Sequence, residues 1–152
     1  MQQTWLVCFC DVPRGWWRPF TRPGFQHVFA LHYDARLRGW LLAEWGCDGL
    51  TLMVLTPEQV DAILVWMNMA GEVWSIDRRA AKHRPYPRLS YCVPFIARLL
   101  NLNTWAITPW QLRCALKRAG GTLITGSHER ASADRQPERP DPRPGDGTPL
   151  HG

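Results

Sequence analysis

Short apolar runs separated by turn residues dominate the first half of the chain, and helical spacing appears only after residue 56. Thr4–Cys10 (TWLVCFC) is short, β-branched and aromatic, which predicts a strand. Phe25–Tyr33 (FQHVFALHY), Trp40–Trp45 (WLLAEW), Leu50–Leu55 (LTLMVL) and Glu72–Asp77 (EVWSID) read the same way. The polar stretch Asp34–Gly39 joins the second and third of these as a hairpin, with its turn centred near Arg36 and Leu37.

Thr56-Pro57-Glu58-Gln59 opens a helix, with Thr as N-cap, Pro at the first position and Gln closing a capping box. Val60, Ile63, Leu64 and Met67 give it one buried stripe, and Gly71 ends it. Thr108-Pro109-Trp110-Gln111 repeats the signature and starts a last helix to Arg118, stopped by Gly120-Gly121. Between them, Ser90 or Tyr91 caps a helix running to about Leu100, with Val93, Ile96 and Leu100 inward. Pro94 fits there only in the first turn. The expected fold class is α+β: a small antiparallel sheet with two or three helices packed on it.

Two basic loops interrupt this frame. Asp11–Gly24 carries Trp16, Trp17 and Phe20 among Arg14, Arg18 and Arg22, and Arg78–Arg88 is broken by prolines. The first is expected to pack partly on the domain and leave an aromatic edge for a partner. Gly126–Gly152 has one large aliphatic residue, Leu150, among Pro, Gly, Arg and Asp. It cannot offset its ordering entropy, so the expected division is a domain over 1–125 and a disordered tail over 126–152.

The formal charge is +5, and without the tail's five acids and four arginines the body carries about +6. The arginines are scattered and form no dense stripe, which argues against nucleic acid as the partner. Five cysteines, Cys8, Cys10, Cys47, Cys92 and Cys114, are an odd number without the spacing of a small secreted scaffold. The N-terminal run is too short for a signal peptide, and no apolar stretch reaches the ~18 residues of a membrane span. Free thiols in a reducing compartment follow.

Cys92 falls in the first turn of its helix, where unsatisfied N–H groups and the helix dipole both favour a thiolate. Arg84 and Arg88 precede it. A stabilised thiolate is what makes a cysteine nucleophilic near neutral pH. Buried, it would be only a small apolar residue. His27, near the start of a strand, is the candidate base. His32 alternates to the other face, and His83 lies in a loop with no fixed scaffold. With the hairpin turn near Arg36, Glu44 pairs with Phe29 and lies diagonal to His27. It is the only acid in WLLAEW and is the candidate for orienting the imidazole, unless it simply faces solvent.

The order of histidine on an early strand, polar residue on the next and cysteine at a helix start resembles the circularly permuted papain-like cysteine hydrolases. GFQHVFAL, YCVPFIARLLNL and ITPWQLRCAL look like small bacteriophage-encoded members of that group, over roughly Trp5 to Arg118. The resemblance implies His27 as base, Cys92 as nucleophile, a peptide or acyl substrate, and a location in the bacterial host cytoplasm or the virion. Glu44 matches no motif of the family and stands on its register alone. Pro94 is atypical and removes an N–H from the helix start.

No cofactor is called for. A zinc site on Cys8, Cys10, His27 and Cys47 would rest on a single C-x-C, not the usual paired spacing. The expected function is a thiol hydrolase or acyl transferase acting on an amide or ester. The alternative is a non-enzymatic virion or host-interaction module of the same fold, binding through Trp16–Phe20.

Overall fold

The computed structural model describes residues 2–11, 18–79 and 91–126. Six strands form one antiparallel sheet: β1 (Gln2–Cys10), β2 (His27–Asp34), β3 (Gly39–Gly46), β4 (Gly49–Leu55), β5 (Gly71–Arg79) and β6 (Thr122–Gly126). Their order across it is β4-β3-β2-β1-β5-β6. Three helices pack on it: α1 (Pro57–Ala70), α2 (Cys92–Leu99) and α3 (Pro109–Arg118). The fold is α+β, as expected. Among the described residues, no helix is long and apolar enough to cross a membrane.

The helices divide between the two faces. Val7, Phe9, Val28, Ala30 and Trp74 meet Val93, Ile96 and Leu100 of α2 and Leu112 and Leu116 of α3 on one face. Cys8, Leu31, Leu55 and Val73 meet Val60 and Met67 of α1 on the other. The central strands are therefore apolar on both sides, which is why TWLVCFC lacks the alternation of a half-solvated strand. A fully buried Leu or Met in these layers contributes about 1.5–3 kcal/mol.

Local chemistry sets the ends of the elements. Both capping boxes form: Thr56 and Thr108 accept from the Gln59 and Gln111 N–H groups, and each Gln side chain accepts from its cap residue in return. In the β2–β3 turn the Asp34 carboxylate accepts the N–H groups of Arg36 and Leu37, at 2.7 and 3.3 Å. Arg38 takes a left-handed backbone, φ 48°. This fixes the register Phe29↔Glu44 that the turn position predicts.

α1 passes into β5 with no intervening residue, through Gly71. The backbone of Gly71 is extended (φ −161°), so space and not conformation demands glycine. A Cβ there would lie 2.1 Å from the Phe9 carbonyl oxygen and 2.5 Å from the Met67 methyl. Gly71→Ala should therefore cost about 2–3 kcal/mol, the upper range for overpacking. Urea unfolding would read this as a lower midpoint at unchanged slope. An unchanged midpoint would show that the helix–strand junction can shift at no cost.

Three expectations need correction. A short strand, β6, pairs with β5 on the far edge of the sheet, and Gly126, assigned above to the tail, is its last residue. Five residues after a Gly-Gly stop are too few for periodicity to register. Second, β2 begins at His27, because Phe25 and Gln26 are held instead by turn bonds to Arg22 and Cys10. Third, Tyr91 is the N-cap of α2 but makes no side-chain cap bond. Trp16, Trp17, His83, Arg84, Arg88, Ser90 and residues 127–152 lie outside the described residues.

Candidate active site

The site forms where β1 ends and β2 begins. Cys10 pairs with His27 across these strands, and two residues further along β2 Phe29 faces Glu44 of β3. His27 Nε2 lies 2.7 Å from Glu44 Oε1. The His27 side chain is 12% exposed and that of Glu44 34%, so the pair is shielded without being sealed. Phe29 stacks beside the imidazole, with ring centroids 6.4 Å apart.

Cys92 is the first residue of α2. The Tyr91 hydroxyl before it donates to the Ile107 carbonyl at 2.9 Å, and the first helical bond runs from Phe95 N–H to the Tyr91 carbonyl. Pro94 has no N–H, so Cys92 and Val93 supply the first-turn donors not used within the helix. The half-buried Cys92 thiol interacts with the His27 ring and helps to hold its charged form. Glu44 occupies Nε2, so the Nδ1 edge is the one not engaged by the carboxylate. By register, His27 and Glu44 belong to the face that α1 covers, and α2 packs on the other. The groups meet because His27 is the first residue of its strand, at the end of the sheet.

Burial alone would lower the pKa of His27, but hydrogen bonds to Cys92 and Glu44, and their charges, outweigh it and raise it to about 9. The bond from His27 holds the Glu44 carboxyl below its usual range; partial burial opposes this and the imidazolium charge reinforces it. A raised histidine contributes stability in full below its unfolded pKa, about 6.5, and loses it as pH rises through about 9. Wild type should therefore lose on the order of 2 kcal/mol between pH 6.5 and 9.5, while His27→Gln should lose far less. Thermal unfolding across that range would test it, and parallel curves for the two proteins would rule it out.

The other cysteines differ in kind. Burial, then the charge of Cys10, raises Cys8, and burial, then Glu44, Asp11 and Cys92, pushes Cys10 up to about 12. Cys47, which carries no sequence signal of reactivity, is exposed in the β3–β4 turn. Among the described residues, no three His, Cys, Asp or Glu side chains are grouped to hold a metal.

The structure thus brings Cys92, His27 and Glu44 together. Sequence alone points to Cys10 only as a zinc-ligand candidate and to Tyr91 only as a helix cap, not as neighbours of a catalytic pair. The signal for Cys10 was its place at the end of the strand beside His27. His32 stacks on Trp5 on the opposite face, its Nδ1 2.9 Å from the Thr4 carbonyl oxygen. The chain matches no known protein family, no curated protein and no solved structure.

Proposed function

We propose that the protein is a thiol hydrolase or acyl transferase acting on an amide or ester bond. One observation carries this reading: an imidazole held by a carboxylate at 2.7 Å also interacts with a helix-start thiol, which helps to raise its pKa. Glu44 orients the ring and stabilises its charged form, and His27 takes the thiol proton. The Cys92 sulfur attacks the substrate carbonyl carbon, and the Cys92 and Val93 N–H groups receive the developing oxyanion. The imidazolium returns the proton to the leaving amine or alcohol. Water, or an acceptor nucleophile, then releases the acyl group from sulfur. The permuted papain-like resemblance supports the same roles for Cys92 and His27. It also favours a phage setting, with cell-wall peptide or a host protein as substrate.

Cys47 supplies an internal control. Iodoacetamide labelling of the folded protein at pH 7, read by mass spectrometry of each cysteine peptide, should modify Cys92 faster than exposed Cys47. His27→Ala should abolish that advantage. Equal rates at the two cysteines in wild type would defeat the catalytic reading.

The binding-module alternative draws on Phe20, which stands 76% exposed on the short 3-10 turn Arg18–Phe20. Its Trp16 and Trp17 neighbours fall outside the described residues. Under that reading Phe20→Ser would abolish partner capture and Cys92→Ser would leave it unchanged.

A further inference from the structure

A groove of about 790 Å³ runs between the Asn101–Ala106 segment and α3. It lies toward the C-terminal end of α2, whereas Cys92 lies at its start, so it stands apart from the site above. Its lining has a consistent chemistry. Arg78 and Arg118 bring two guanidinium groups, Asn101, Asn103 and Gln111 bring amides, and no acidic residue among the described ones lines it. Asp77 lies in the adjoining smaller cavity, where its carboxylate accepts the Thr4 hydroxyl at 2.6 Å.

The two arginines are anchored but not used up. Arg78 donates from Nη2 to the Ala119 carbonyl at 3.2 Å, and its Nε is buried with no hydrogen-bond partner among the described residues. Arg118 donates from Nε to the Cys114 carbonyl at 3.4 Å. The C-terminal end of α3 meets part of this positive charge through the Ala119 and Cys114 carbonyls, while the Ala97, Leu116 and Lys117 carbonyls accept from Leu102, Gly121 and Gly120. The buried Nε is closed to a ligand in the groove, but the terminal N–H groups of a guanidinium form the planar donor fork that phosphate oxygens match best.

Trp105 supplies the second half of the argument. It lines the groove and is 98% exposed. An exposed indole lining the same groove as two guanidinium groups is a combination that can receive a ring attached to an anion.

We propose that this groove binds a nucleotide unit, its phosphate on Arg78 and Arg118 and its base stacked on Trp105. The ligand is either a free nucleotide or one residue of a single strand. The volume falls within the range of small-ligand pockets.

Calorimetric titration of the full chain with inorganic phosphate, AMP and an eight-residue oligouridylate at low salt tests this. AMP should bind about tenfold tighter than phosphate, the added affinity being the stacked base. Trp105→Ala should reduce AMP to the level of phosphate, and Arg118→Ala should weaken both about tenfold. Both side chains are exposed, so neither change should unfold the domain. Oligouridylate binding tighter than AMP assigns the groove to single strands, and equal affinity assigns it to free nucleotide. AMP no tighter than phosphate, or variants that bind as wild type does, would overturn the proposal. Cys92 alkylation is independent of the groove and should be unchanged in both variants.

Discussion

Cys92→Ser should leave the thermal unfolding of the protein nearly unchanged while lowering its hydrolysis of an activated ester by about 10³-fold or more. The exchange of sulfur for oxygen is small and the position is half-buried, so the packing of α2 on the sheet survives. The hydroxyl, however, is a far weaker nucleophile than a thiol with an imidazole beside it. His27→Ala should cost about 10²–10⁴-fold, the worth of a positioned general base. Glu44→Gln separates orientation from charge. The amide can still hold the ring but no longer favours its protonated form, so the alkaline limb of the rate profile should move to lower pH. Hydrolysis of p-nitrophenyl acetate by the purified variants measures all three. If Cys92→Ser retains the wild-type rate, the acyl-enzyme route is wrong, whatever the geometry.

A second large effect is expected far from any chemistry. Glu72 is buried beneath α3, where its Oε2 accepts from Arg113 Nε at 3.1 Å and from Trp74 Nε1 at 2.8 Å. Arg113 also lies over the rings of Trp110 and Trp74, 4.8 and 5.1 Å from their centroids. Glu72→Ala would leave a poorly solvated guanidinium without its counter-charge and an indole N–H without an acceptor. Breaking such a pair from one side costs about 3–5 kcal/mol. The aromatic faces retain part of the attraction to the cation, so about 3 kcal/mol is expected. Glu72→Gln should lose less, because its carbonyl still accepts from Trp74. Chemical denaturation followed by tryptophan fluorescence would give both values, and a loss below about 1 kcal/mol for the alanine variant would show that water replaces the carboxylate.

What the sequence made legible followed from chemistry acting over a few residues. The capping boxes at Thr56 and Thr108 dictated two helix starts because each is a closed exchange of hydrogen bonds within four residues. The turn at Asp34 placed Glu44 opposite Phe29, since strand register is counted outward from the turn. Glu44 thereby falls diagonal to His27. What stayed hidden depended on partners distant in sequence. Glu72 and Trp74 share one face of EVWSID, but nothing local indicates that Arg113 crosses to meet them. β6 exists because β5 offers it an edge, not because TLITG is a strong strand. The exposure of Cys47 comes from the tight β3–β4 connection and not from its own neighbours.

The junction at Gly71 has a further meaning for how the chain can be altered. Because α1 and β5 are fused without a spacer, the helix is bolted to the second-innermost strand on its side of the sheet, and one added residue would turn every β5 side chain to the opposite face. Grafted loops, affinity tags or new chain ends therefore belong in the β2–β3 or β3–β4 turns, whose polar, exposed residues tolerate interruption. Placed there, new termini would fall within the strands that position Glu44 and leave the α1–β5 unit whole. A permuted chain opened at Arg36–Leu37 would thus ask whether the imidazole–carboxylate pair needs its covalent hairpin or only its place in the sheet.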